Sequence, residues 1–94
     1  MPLNTRPFDP AAYLKTDTAR AAYMNEAFET GDAAFIADAV GVLARARGMS
    51  KVAKAAGLSR ESLYRALSPD GNPELATVLK VMAALHLKLK AAPG

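Results

Sequence analysis

The chain is short of the residues on which most catalytic and metal chemistry depends. Its 94 residues contain no cysteine and no tryptophan, and they contain a single histidine, His86. The absence of cysteine excludes disulfide bonds and thiolate catalysis. Neither a nucleophile with a neighbouring base nor a pair of acidic residues stands out. We therefore expect no metal, no cofactor and no enzymatic activity.

Long apolar runs are also missing. No stretch approaches the length of a membrane span, and the opening residues MPLNTRPFDP lack the continuous apolar segment of a signal peptide. Because 51% of the residues are nevertheless hydrophobic, the chain should fold as one small domain. We expect a cytoplasmic protein with no membrane association.

Charge is divided unevenly along the chain, whose net charge is +3. Residues 1–44 carry three basic and six acidic side chains, whereas residues 45–94 carry nine basic and three acidic ones. The basic half suits the phosphates of a nucleic acid, and the acidic half suggests a different partner. Taken alone, the charges fit an unevenly charged solvated surface equally well.

Apolar spacing and turn residues predict an all-α chain. We expect a short helix after Asp9-Pro10, further helices at about 17–30, 33–47, 51–56 and 60–67, and a last helix opened by Asn72-Pro73. Gly31 is expected to end the helix at about 17–30, and Asp32 to cap the helix that follows it. Ser50 and Ser59 are the expected caps of the two short helices. The expected inward stripes are Phe35, Ile36, Ala39, Val40 and Leu43 on one helix and Leu75, Val78, Leu79, Met82 and Leu85 on the last.

The tail alternates polar and apolar residues from His86 to Lys90, which predicts a short β-strand. A single strand is not stable alone, so this strand would have to pair with the same strand of a second copy. The expected architecture is therefore a compact helical bundle that dimerises through its C-terminal strand.

Residues 49–68 have the pattern of a helix-turn-helix. Two short helices that cross steeply require a small residue at the crossing and a turn that accepts positive φ. Ala53 and Gly57 meet these two requirements, and Ser59 follows as a cap. The predicted helices of the motif are 50–56 and 60–67, within a compact all-helical domain.

The outward positions of this motif are the candidate DNA contacts. Side chains near the start of the second helix reach base edges, and hydroxyls, ammonium groups and helix N-termini reach phosphates. Taken singly, the two arginines of the second helix would be read as a solvated face. Tyr64 has an alternative role in packing against a neighbouring helix. The predicted base contacts are Arg60, Glu61, Ser62 and Arg65, and the predicted phosphate contacts are Ser50, Lys51, Ser59, Tyr64, Ser68 and Asn72.

Several segments resemble the antitoxin branch of the Cro/CI-like (XRE) helix-turn-helix family, which includes addiction-module antidote proteins and prophage DNA-binding proteins. They are ARARGMSKVAKAAGLSRESLYRALSPDGNPELATVLKVMAAL, FDPAAYLKT and EAFETGDAAFIADAVG. The resemblance implies a homodimer that binds a RelE/ParE-like toxin and represses its own operon by binding the double-stranded operator DNA. It further implies that residues 59–67 form the recognition helix.

The resulting domain prediction has four parts. Residues 1–8 form an arm, residues 9–31 form helices that could face a toxin, residues 32–86 form the DNA-binding domain, and residues 87–94 form the strand and tail.

Two alternatives to an antitoxin stay open at this point. One is a prophage-type regulator without a toxin, and the other is a protein-interaction module of the same fold that binds no DNA.

Overall fold

The structure is a computed structural model that describes residues 14–94, and all of its regular structure is helical. The predicted arm and the predicted helix after Asp9-Pro10 lie outside the described residues. The all-α prediction is confirmed for the residues that are described. The helices are α1 (Asp17–Glu29), α2 (Ala33–Arg47), α3 (Met49–Ala56), α4 (Arg60–Ala66) and α5 (Leu75–Ala84).

The helices share one buried apolar cluster. Helix α3 packs against α2, α4 and α5, while α1 packs against α2 and α2 also contacts α5. Because α3 touches three other helices, its buried face connects α2 to the later helices α4 and α5. The largest fully buried side chains are Met24, Leu43, Leu63, Met82, Leu85, Val40, Val52 and Val81.

Two predicted caps are present and two are not. Asp32 caps α2 and Ser59 caps α4 through their side-chain oxygens. The prediction for Ser50 is wrong, because α3 begins at Met49 directly after Gly48 and no side chain caps it. The prediction for Asn72-Pro73 is also wrong: α5 begins at Leu75, and its cap residue Glu74 makes no side-chain hydrogen bond to the helix.

The apolar stripes are narrower than predicted. Phe35 is 50% exposed, Leu75 65% and Leu79 44%, although all three were expected to face the core. At 100° per residue Phe35 and Leu79 lie at the edges of their stripes, whereas Leu75 is the first residue of α5. Val81, which was not included in the predicted stripe of α5, is fully buried on the other side of that stripe.

The C-terminal β-strand prediction is wrong, since no strand is found among residues 14–94. The residues that would begin it close α5 instead. His86 adopts the left-handed conformation with φ +63°, its N–H bonds Ala83 O, and the Leu87 N–H bonds Met82 O at 2.9 Å. This is the Schellman termination of a helix, in which the residue after the left-handed one packs back on the helix. Leu87 is also half-buried against the core, and its N–H, bonded to Met82 O, is not free to pair with another strand.

Candidate functional site

The tight turn between α3 and α4 sets the geometry of the candidate site. Gly57 takes the left-handed conformation with φ +73°, which glycine adopts without the steric cost of a Cβ. The Gly57 N–H bonds Lys54 O at 3.2 Å and the Leu58 N–H bonds Ala53 O at 2.9 Å, so α3 also ends in a Schellman motif. Ser59 then starts α4 by accepting the Ser62 N–H at 2.9 Å.

Buried side chains hold both helices against the rest of the molecule. Helix α3 buries Met49, Val52, Ala53 and Ala56. Helix α4 is anchored by Leu63, which is fully buried, and Leu67 directly after the helix is 5% exposed. Since the inward positions of α4 are occupied in this way, its opposite face is left to solvent.

The outer face of α4 carries four exposed side chains at positions i, i+1, i+4 and i+5. They are Arg60, Glu61, Tyr64 and Arg65. The Arg60 Nη2 group donates to the Tyr64 hydroxyl at 3.3 Å, and its guanidinium carbon lies 5.4 Å from the centre of the Tyr64 ring. This cation–π contact restrains the arginine while leaving most of its N–H donors free.

The serines near the start of α4 are placed differently. Ser62 is half-buried, and the Ser59 hydroxyl donates to the Ser62 hydroxyl at 2.8 Å. On a helical wheel Ser62 lies beside the exposed face rather than on it. The structure therefore brings Arg60, Glu61 and Arg65 together on one face and uses Ser59 and Ser62 to close the first turn of α4.

The first turn of α3 supplies a second group of polar side chains. Ser50 and Lys51 are exposed there, as is Lys54 one turn later. No side chain caps this end of α3, so its first N–H groups keep their donor capacity. Lys54 was missed as a phosphate candidate, although its i+3 spacing from Lys51 on an outward face could have indicated it.

The loop that follows α4 folds back on the last backbone carbonyls of that helix. The half-buried Ser68 donates its hydroxyl to Arg65 O at 2.9 Å, and Asn72 is exposed with φ +44°. A Cβ on Gly71 would lie 2.3 Å from Ala66 O and 2.4 Å from Arg65 O. Only glycine fits this close approach, which the sequence pattern did not reveal. The loop candidates Ser68 and Asn72 thus have distinct settings, one supporting α4 and the other facing solvent.

Two kinds of site are absent from residues 14–94. No group of three or more histidine, cysteine or acidic residues is arranged to hold a metal ion in this part of the chain. In the same range no helix is long and apolar enough to span a bilayer.

Comparison with known proteins defines the family. Residues 4–93 match the family model described as "Probable addiction module antidote protein", and the chain belongs to this family. An antidote acts on a toxin, so this description implies a toxin partner of some kind. A protein of Haemophilus influenzae described only as uncharacterized is 47% identical over 83 residues, covering 88% of this chain and 86% of that protein. No solved structure matches the chain.

Proposed function

We propose that the protein is an antitoxin that represses its own operon by binding operator DNA through a helix-turn-helix of the Cro/CI type. The observation that carries the DNA-binding part is the exposed outer face of α4, with Arg60, Glu61, Tyr64 and Arg65 on a helix anchored by Leu63. Such a face fits the major groove, where arginine reads guanine and acidic side chains accept from cytosine. The role is binding rather than catalysis, in the cytoplasm where the operator lies.

The phosphate contacts are proposed on either side of this helix. Ser50, Lys51 and Lys54 lie on exposed positions of α3. The pair of helices is joined by only three residues, so α3 would lie across the DNA backbone when α4 enters the groove. Most of the basic residues of the chain also belong to its second half, which favours binding of a polyanion.

A homodimer and a RelE/ParE-like toxin complete the proposal. The exposed side chains of Leu75, Leu79 and Leu89 offer apolar surface to a second copy. Sedimentation equilibrium that finds only monomer at operator-binding concentrations would contradict the homodimer. The toxin partner is supported by the family to which the chain belongs.

Base reading by Arg60 is tested with a duplex from upstream of the gene and a scrambled duplex of equal length. We expect Arg60→Ala to weaken binding of the upstream duplex by about 1–3 kcal/mol and to leave the scrambled duplex less affected. Arg60→Lys keeps the charge but loses the two-pronged donor, so it should recover little of the specificity. Fluorescence anisotropy gives both affinities, and equal wild-type affinity for the two duplexes would contradict sequence-specific repression.

Phosphate binding by Lys51 has a different signature. We expect Lys51→Ala to weaken both duplexes alike and to lower the slope of log affinity against log salt by about one. Lys80→Ala removes the same charge from α5, outside the helix pair, and should leave the slope unchanged. Equal slopes for wild type and the Lys51 variant would place the phosphate contact elsewhere.

The toxin role is tested by co-expression with the reading frame adjacent to the gene. Rescue of growth from a toxic neighbour establishes the antitoxin role. A harmless neighbour together with specific operator binding would favour a prophage-type regulator that has no toxin.

A further inference from the structure

A shallow hollow of about 260 Å³ lies between α1 and α2, away from the proposed DNA-binding helices. We call it the aromatic hollow. Buried alanines of both helices, Ala27 and Ala39, line it. The other lining residues are Tyr23, Glu26, Thr30 and Phe35.

The two aromatic rings of the hollow are incompletely covered. Tyr23 is half-buried, and Phe35 leaves half of its surface in water. Burying an aromatic side chain is favourable, so Phe35 leaves favourable burial unused in the isolated chain. Aromatic side chains of this kind are enriched at the centres of protein interfaces.

Carboxylates surround these rings. Glu26 lines the hollow, and Asp38 lies three residues after Phe35 on the same side of α2. The pKa of the Tyr23 hydroxyl is raised, first by burial and then by the negative charges of Asp38 and Glu26, while Arg45 acts in the opposite direction. Both carboxylates are therefore close enough to act on the Tyr23 end of the hollow.

The wider surface around the hollow is acidic as well. Residues 14–44 carry five exposed carboxylates, namely Asp17, Glu26, Glu29, Asp32 and Asp38. The cations of this range are Lys15 and Arg20, and Arg20 is buried with its guanidinium paired to Asp17. Two further exposed cations, Arg45 and Arg47, lie at the C-terminal end of α2, and Arg45 is close enough to act on Tyr23. Glu26 and Asp38 are the charges nearest the two rings apart from Arg45, so a basic group is favoured in the hollow over an acidic one.

We propose that the aromatic hollow receives a lysine or arginine side chain of a basic protein, namely the toxin partner of the proposed function. The inference rests on that function and specifies the surface through which it works. A cation placed over the rings of Tyr23 and Phe35 gains a cation–π interaction, and Glu26 and Asp38 supply the opposite charge. Operator binding and toxin binding then use different faces and opposite charges of one small chain.

The experiment compares three variants of the full chain with the wild type. The probe is the purified product of the adjacent reading frame, and calorimetry measures its affinity. Phe35→Ala should weaken binding roughly thirtyfold, as for an interface residue worth about 2 kcal/mol. Glu26→Lys should weaken binding by at least about tenfold. Glu29→Lys makes the same charge change on the same helix outside the hollow, and it should stay within about threefold of wild type.

The helical circular dichroism spectrum should be unchanged in all three variants, because Glu26, Glu29 and Phe35 are exposed. Affinity for the upstream duplex should also be unchanged, because the three residues lie on α1 and α2, outside the proposed DNA-binding helices. If wild type and all variants bind the probe equally, the hollow is wrong while the antitoxin function stands. Equal losses for the two glutamate variants with none for Phe35→Ala would also overturn it, since general electrostatics would suffice. Absence of binding by the wild type would overturn the toxin partner and the hollow together.

Discussion

The two helix hairpins, α1–α2 and α3–α4, have turns of similar backbone conformation but different side-chain hydrogen bonds. Each turn contains a left-handed glycine, Gly31 with φ +64° or Gly57 with φ +73°, and each is followed by a side-chain cap, Asp32 or Ser59. In both, the N–H of the glycine bonds the carbonyl three residues earlier. The local backbone of the two hairpins is therefore alike, and their difference lies in what the side chains add.

One difference concerns how the first helix of each hairpin is closed. In α3 the Leu58 N–H reaches Ala53 O directly at 2.9 Å. In α1 the corresponding Asp32 N–H bonds the Thr30 hydroxyl at 3.1 Å, and that hydroxyl donates to Ala27 O at 2.6 Å. In α1 the Thr30 hydroxyl therefore lies between the N–H and the carbonyl that bond directly in α3. A helix of this kind can end with or without such a bridging hydroxyl.

The second difference is charge. The exposed part of α1–α2 combines Phe35 with carboxylates, whereas that of α4 combines Tyr64 with two arginines. Similar backbone geometry thus presents an exposed aromatic residue in two opposite electrostatic settings. The difference between the two exposed faces therefore lies in their side chains and not in the backbone of the turns.

The largest expected effect tests whether the two hairpins share one core. Leu63→Ala in α4 and Met24→Ala in α1 each remove a nearly fully buried side chain, so each should lower the free energy of unfolding by about 2–5 kcal/mol. Urea unfolding followed by circular dichroism should stay a single transition for both. The control Phe35→Ala, at a half-exposed site, should cost much less. Two separate transitions in either variant would show that the hairpins fold independently.

An intermediate effect tests the equivalence of the two turns. Gly31→Ala and Gly57→Ala should each destabilise by about 1–2 kcal/mol, because alanine is strained in the left-handed conformation. Neither site has an atom within 4 Å of the added Cβ, so conformation alone determines the cost. Thermal unfolding measures the two losses, and a difference above about 1 kcal/mol would mean that the turns are not equivalent.

The smallest effect isolates the inserted hydroxyl. Thr30→Val removes the group between the Asp32 N–H and Ala27 O and should destabilise by about 0.5–1.5 kcal/mol, the usual net contribution of a hydrogen bond. Thr18→Val is the matched control, since Thr18 is an exposed residue near the start of the same helix. If the two variants have equal unfolding midpoints in urea, the Thr30 hydroxyl contributes nothing.

Much of the fold could be predicted because its determinants are local. Caps such as Asp32 and Ser59, and the left-handed Gly57, depend on a few neighbouring residues, so α2 and α4 begin within one residue of the expected positions. The candidate DNA-binding face could be predicted for the same reason: Arg60, Glu61 and Arg65 lie opposite Leu63 by helical spacing alone. Their contact with DNA stays a prediction.

The errors arise where a residue's role depends on what packs against it. Alternation over residues 86–90 is a valid strand signal, but Leu87 finds the core next to α5 and its N–H closes that helix. Phe35 and Leu79 continue an apolar period, yet they lie at the edges of their stripes and stay about half exposed. The requirement for glycine at position 71 arises only when the loop folds back on the carbonyls of α4.

The sequence by itself determined five of the helices, the two glycine turns and the division into an acidic and a basic half, because caps, turn residues and charge are properties of short segments. Only the tertiary structure decided which apolar residues stay exposed and which charges gather around them. Burial depends on the crossing of helices that are distant in the chain, and so does the aromatic hollow, which forms only where α1 meets α2. The same contacts that hold the core thus leave Phe35 exposed on α2, close to carboxylates, and Tyr64 exposed on α4 beside two arginines.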